Sequence, residues 1–176
     1  MELFWIKGFI ATSMADLETH LGLGRVSLYG AFGDKRQFFL ECLRKYRREV
    51  AAPLLQSLDE EDGLAGIRRF FATVATAPPA LRRRGCLIVN TLVAANDPDP
   101  DIDAIIRAHI RLVETRFVRA VRRGQVAGTI SKRIRPRGSA RLLVTLAHGA
   151  FVLNRSGVDS NLIKTAIRTA LDGLAV

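Results

Sequence analysis

The side chains best placed to do chemistry lie in the first 36 residues, and the chemistry they suit is recognition. Arg25 and Ser27 open a short helical segment after the glycine-containing turn Leu21-Gly22-Leu23-Gly24. An arginine projecting from such a segment can bond guanine O6 and N7 together, and a neighbour such as Val26 can pack on a thymine methyl. Thr12 and Ser13 stand where a helix N-terminus offers N–H groups and hydroxyls to a phosphate, and Lys35 lies in the first turn of a later helix, within reach of another. Catalytic constellations are missing: there is no Gly-x-Ser-x-Gly elbow, no Walker loop and no Gly-x-Gly-x-x-Gly. His20, His109 and His148 have no metal-ligand spacing with one another or with cysteine, so no metal, no cofactor and no enzyme is expected. Cys42 and Cys86 sit in apolar helical patterns and read as buried, reduced thiols.

The elements that must hold these groups are helices. Apolar residues recur at three-and-four spacing nearly everywhere, while alternating strand patterns and Asn-Gly turns are missing, so the expected class is all-α. A short helix over Met1–Lys7 ends at Gly8; Ser13 caps a second helix that stops at Gly22; a third runs from about Arg25 to Phe32. Leu17, Leu21, Leu28 and Phe32 are expected to form the core that sets the angle of this pair. Asp34 caps a fourth helix ending before Pro53. The acidic run Asp59-Glu60-Glu61-Asp62-Gly63 reads as a connector. Beyond it come a helix with Leu64, Ile67, Phe70, Phe71 and Val74 that stops at Pro78-Pro79, and a segment from Cys86 to Ala95 that is apolar nearly all round. The run Asp97-Pro98-Asp99-Pro100-Asp101 recaps the chain into a long arginine-rich helix. Gly124 to Arg135 reads as a polar connection, followed by two helices, after Pro136 and after Gly157, with wide stripes rich in small residues. A helix, a glycine turn and a second helix make a helix-turn-helix, whose second member lies in the major groove; spacing alone does not separate it from an ordinary helical hairpin.

The residues at those positions add to the spacing. Phe4 to Leu17, with Leu3-Phe4 leading to Gly8-Phe9 and a Thr12-Ser13 helix start, and Gly22 to Arg36, with Leu28-Tyr29 leading to Phe32 and Lys35 opening the next helix, resemble the DNA-binding domain of the TetR (tetracycline repressor) family. The resemblance implies a helix-turn-helix domain over residues 1–48, with Tyr29 as a phosphate contact, and a helical ligand-binding and dimerisation domain over residues 49–176. It further implies a homodimer on a pseudo-palindromic operator in double-stranded DNA, with release, and so repression relief, by a small-molecule effector. Gly30 and Ala31 are smaller than the family's frequent residues there, which leaves specificity to Arg25, Val26 and Ser27. The first helix is also about a dozen residues shorter than the family's, which reads as a late start or a truncation.

In the second half, inward faces nominate Phe70, Phe71, Val74, Asn90, Thr91, His109, Val113, Phe117, His148 and Phe151 for an effector cavity, with plain core packing as the competing reading. The stripes of the last two helices nominate Leu142, Leu146, Ala150, Leu153, Leu162, Ile163, Ala166, Ile167, Ala170 and Leu171 for a dimer interface. The 176 residues carry 27 Lys+Arg against 17 Asp+Glu, a net +10 that points to a polyanionic partner. Residues 101–150 contribute +8 of it and residues 1–50 only +2, so bulk charge does not mark the recognition helix. With 48% hydrophobic residues a disordered chain is excluded, and no run reaches the ~18–20 apolar residues of a membrane span or the pattern of a signal peptide, so a cytoplasmic protein is expected. Two rivals remain open at this point: a dimeric small-molecule-binding module without effective DNA binding, and a basic helical protein using residues 107–141 on a membrane surface.

Overall fold

The computed structural model describes residues 1–59, 62–94 and 98–176; Glu60, Glu61, Ala95 and Asp97, which figured in the sequence reading, lie outside the described residues. The described chain is helical: α1 (Glu2–Lys7), α2 (Met14–Leu21), α3 (Arg25–Phe32), α4 (Lys35–Tyr46), α5 (Ala52–Gln56), α6 (Gly63–Thr76), α7 (Pro79–Arg84), α8 (Leu87–Ala94), α9 (Pro100–Val126), α10 (Pro136–Ser156) and α11 (Ser160–Asp172). The punctuation works as its chemistry demands. Ser13 and Asp16 form a reciprocal capping box on α2, Asp34 accepts from Gln37 N–H on α4, and Asp99 accepts from Asp101 and Ile102 N–H on α9. Gly22 ends α2 at φ 65°, a left-handed conformation that favours glycine.

Several boundaries differ from expectation. The fourth helix ends before Pro53, at Tyr46, but the chain does not leave helix there: a π-turn over Arg47–Ala51 loosens the hydrogen-bond ladder, and the proline falls in the first turn of α5, where its missing N–H costs nothing. The acidic connector is structured at both described ends, Asp59 closing a 3₁₀ turn and Asp62 capping α6 through Leu64 and Ala65 N–H. Helix α9 runs through Gly124 to Val126, and the following turn buries Ile130, which bridges to Ala175. Helix α8 is buried only over Leu87–Val89; Leu92 and Val93 are exposed, so a segment apolar all round is not enclosed all round. Leu21, the last residue of α2, is likewise 39% exposed rather than core.

Two apolar clusters organise the bundle, and α9 passes through both. The first joins Phe4, Trp5, Leu17, Leu28, Phe39 and Tyr46 to residues 86–89 and to Ile102, Ile105 and Ile106, so the helix-turn-helix is seated on α8 and the start of α9. The second gathers the inner faces of α6, α9, α10 and α11 around Phe70, Phe71 and Phe117. This packing divides the residues nominated for an interface. Ala150, Ile163, Ile167 and Leu171 are buried in their own chain's core, because α10 and α11 first cover α6 and α9. Leu142 and Leu162 are 56% and 53% exposed, Ala166 is exposed, and Leu146, Leu153 and Ala170 are half-buried, so these form the outward face that remains.

Candidate nucleic-acid interface

Helix α3 buries Leu28 against the first cluster, which fixes its rotation and points Arg25, Val26 and Ser27 to solvent. Val26 is 87% exposed, an apolar side chain with no neighbour to cover it. The Arg25 guanidinium lies 5.6 Å from the centroid of the Tyr29 ring, and its bond to Tyr29 holds its pKa above the ordinary value. Phe32 stacks on Phe38 at 4.2 Å and ties the end of α3 to α4.

The turn before α2 is more tightly built than its sequence shows. Thr12 is fully buried and its hydroxyl donates to Gly8 O at 2.6 Å, so that hydroxyl braces the turn instead of facing outward. Ser13 Oγ is exposed but engaged, accepting from Asp16 N and donating to Asp16 Oδ2. Lys7 pairs with Asp16 at 2.7 Å, and this bond, ahead of the Ser13 cap, holds the Asp16 carboxyl well below the usual carboxylate range. Lys35 Nζ donates to Phe9 O at 3.1 Å and Thr12 O at 2.9 Å and sits 4.5 Å from the Phe9 ring centroid. In this structure Lys35 is therefore a clamp inside the helix-turn-helix, with one of its three N–H groups left for an outside partner.

Next to it, Arg36 forms a bidentate pair with Asp99 at 2.7 and 2.8 Å and reaches Asp101 at 2.6 Å, which fastens α4 to the start of α9. The Asp99 carboxyl is held low chiefly by this pair. Three further links join α1 to the bundle. Trp5 Nε1 donates to Gly85 O at 3.1 Å, Arg155 donates to Trp5 O and Ile6 O, and Arg84 pairs with Glu2 at 3.4 Å. Sequence reading missed Arg36 and Arg155: the acidic residues before α9 announced a helix cap, and nothing local in the sequence announces a partner 63 residues away.

The nominated effector residues do not share one cavity. Phe70 meets Phe71 and Phe117 edge-on at 5.2 and 5.3 Å, and these rings with Val74 are core. His109, Val113, His148 and Phe151, with Phe70, border a void of only about 20 Å³, room for roughly one water. Asn90 and Thr91 instead line a larger cleft of about 550 Å³ between α1, α8, α9 and α10.

Burial lowers the His109 pKa to about 4, with the Arg47 charge the next cause, and burial also lowers that of His148. A base whose folded pKa is depressed contributes stability that is complete above its unfolded pKa of about 6.5 and is lost as the pH falls through the folded value. Urea titrations are therefore expected to show about 2 kcal/mol lost to His109 between pH 7.5 and pH 5, a window above the acid transitions of Asp16, Asp62 and Asp99. A His109→Leu variant should lose correspondingly less over that interval.

Comparison with known proteins decides what this arrangement belongs to. A model of tetracyclin repressor-like C-terminal domains matches residues 63–170, and one of bacterial regulatory proteins of the tetR family matches residues 1–42. The chain is a member of the TetR family. Its relatives include the uncharacterized HTH-type transcriptional regulator YezE of Bacillus subtilis (strain 168), 27% identical over 74% of this chain and 69% of that protein. The HTH-type transcriptional repressor ComR of Escherichia coli (strain K12) is 25% identical over 90% of this chain and 77% of its own. Among solved structures, a TetR family regulator, CifR, complexed with 26-bp double-strand operator DNA, matches at a TM-score of 0.79 and 24% identity over 97% of this chain and 90% of that one. The TetR-family fold thus extends over the described chain, which is a transcriptional regulator of the DNA-binding kind. No helix among the described residues is long and apolar enough to cross a membrane.

Proposed function

We propose that this TetR-family chain is a homodimeric repressor that binds an inverted-repeat operator through α3 and releases it when a small molecule binds the α5–α11 half. The observation that carries the reading is the solvent-exposed run Arg25, Val26 and Ser27 at the start of a helix that Leu28 fixes in the core. Such a row fits the major groove, where three or four side chains read base edges. Dimerisation is supported by the outward face of α10 and α11, where Leu142 and Leu162 are more than half exposed and Gly149 and Ala166 permit close approach. The repressor role and the operator are supported by what the relatives' names state of those proteins.

Selection of bound sequences from a random duplex library tests this. The parent chain should enrich two inverted half-sites. Arg25→Ala should lose about tenfold discrimination at one base pair of each half-site while the flanking preference persists. Enrichment of no sequence would favour a sensor module without DNA binding, and an unchanged motif in Arg25→Ala would remove α3 from the interface.

A further inference from the structure

We propose that the cleft between α1, α8, α9 and α10 is the effector site, that it takes a small apolar carboxylate, and that Arg155 is the group the carboxylate binds. The proposal rests on the repressor reading above and names the site and ligand class for it. At about 550 Å³ the cleft falls within the ~300–1,000 Å³ of drug-sized ligand sites, whereas the void bordered by His109 and His148, about 20 Å³, has room for roughly one water. Its walls are apolar and aromatic, with Trp5 and Phe9 on the α1 side and Leu87, Thr91 and Ile102 opposite.

The charges around the cleft select the ligand's polar end. Lys7 is paired with Asp16, Asp99 with Arg36, and Asp103 with Arg107 at 3.3 Å. Arg155 differs: its guanidinium donates to the carbonyls of Trp5, Ile6 and Arg84 at 3.3–3.4 Å and has no carboxylate within 4 Å among the described residues. These bonds are long, and carbonyl dipoles at the ends of α1 and α7 balance a full charge incompletely. A carboxylate accepting two parallel N–H bonds from Arg155 would be shorter and stronger, and the apolar remainder of the ligand would cover Trp5 and Phe9.

The position also supplies a route to the DNA face. Arg155 holds the end of α1, and α1 is locked to α2 by the Lys7–Asp16 pair and the Thr12 bond to Gly8 O. The Arg36–Asp99 pair closes the other rim. A ligand that draws Arg155 off the α1 carbonyls loosens one of the links that set the helix-turn-helix against the bundle. It acts on DNA affinity only through that difference, and by linkage operator weakens its binding equally.

Trp5 is the single tryptophan, so its fluorescence reports occupancy without DNA. Octanoate and 4-phenylbutyrate should shift Trp5 emission saturably and bind about tenfold or more tightly than octanamide and 4-phenylbutyramide. Arg155→Gln should erase that preference while amide binding persists, Arg155→Lys should retain part of it, and Thr91→Phe, which fills the cleft from α8, should abolish both. Equal affinity for acids and amides, no response to any of the four, or unchanged acid binding in Arg155→Gln would overturn the proposal. Because operator is absent from this assay, its failure leaves the DNA-binding reading standing, and failure of the duplex selection leaves the fluorescence result standing. With the selected duplex added, octanoate should weaken DNA binding at least fivefold in the parent and not in Arg155→Gln; occupancy without that loss overturns the link to α1.

Discussion

A Gly63→Ala variant is expected to lose about 3–5 kcal/mol of folding stability, read as a lowered urea midpoint at unchanged slope, although the change adds one methyl far from the DNA face. Gly63 is the first residue of α6 and lies directly on α9: a Cβ there would overlap the Ala120 carbonyl oxygen and come 2.7 Å from the Gly124 nitrogen. Both obstacles are main-chain atoms on the buried face of α9, so neither can rotate aside. Relief requires moving the start of α6. That start is pinned by Asp62, which caps Leu64 and Ala65 N–H and accepts from Thr129 Oγ1 at 2.9 Å. Thr129 and Ile130 N–H in turn bond Gly124 O, and Ser131 N–H bonds Leu174 O, so the displacement would spread to the end of α9 and the C-terminal residues. Gly124→Ala is the control. Its nearest obstacles are side-chain atoms of Ile130, Cδ1 at 2.6 Å and Cγ1 at 2.7 Å, which can change rotamer, so a smaller loss of about 1–3 kcal/mol is expected. Against a typical total stability of ~5–15 kcal/mol, the Gly63 change alone could abolish the folded population at growth temperature.

That glycine also marks the boundary of what sequence reasoning reaches. Local information was enough for most helices: Ser13, Asp34, Asp99 and Gly22 each act within four residues, and the caps they form are those the sequence announces. The recognition row on α3 was legible for the same reason, since Leu28 inward turns Val26, about 160° round the helix, outward, and Arg25 projects from the exposed first turn. What was illegible depends on pairs far apart in the chain. Gly63 looked like a linker glycine because its reason is Ala120, and the acidic residues before α9 looked like caps alone because Arg36 is on α4. The residues nominated for an effector cavity divide differently. An aromatic on an inward face can line a cavity or fill it, and Phe70, Phe71 and Phe117 fill it with one another. Periodicity specifies the face and not the packing density behind it. The interface residues split on a related point: α10 and α11 each carry a stripe wide enough to cover their own core and still present a second row, and hydropathy alone does not assign Ile163 to one and Leu162 to the other.

Lys35→Met is expected to lower operator affinity for all sequences alike by destabilising the helix-turn-helix, with a loss of about 2–4 kcal/mol in stability and little change in the salt dependence of binding. Methionine keeps the stem against Phe9 but removes the donors that Phe9 O and Thr12 O accept. Those bonds are part-buried, so the carbonyls would lose a charged donor where water replaces it only incompletely, at a cost of about 1–2 kcal/mol each. The turn carries Ser13 and the start of α2, against which α3 is set, so the recognition row would lose its fixed angle even though none of its own residues has changed. A lysine acting only as a phosphate contact predicts the opposite pattern. Its removal would leave the urea midpoint in place and lower the slope of log K against log salt by about one unit. Measuring both quantities on one variant separates a clamp from a contact. If the third N–H of Lys35 does reach a phosphate, the two effects occur together: the slope falls by that single unit, and the urea midpoint still drops because Phe9 O and Thr12 O have lost their donor.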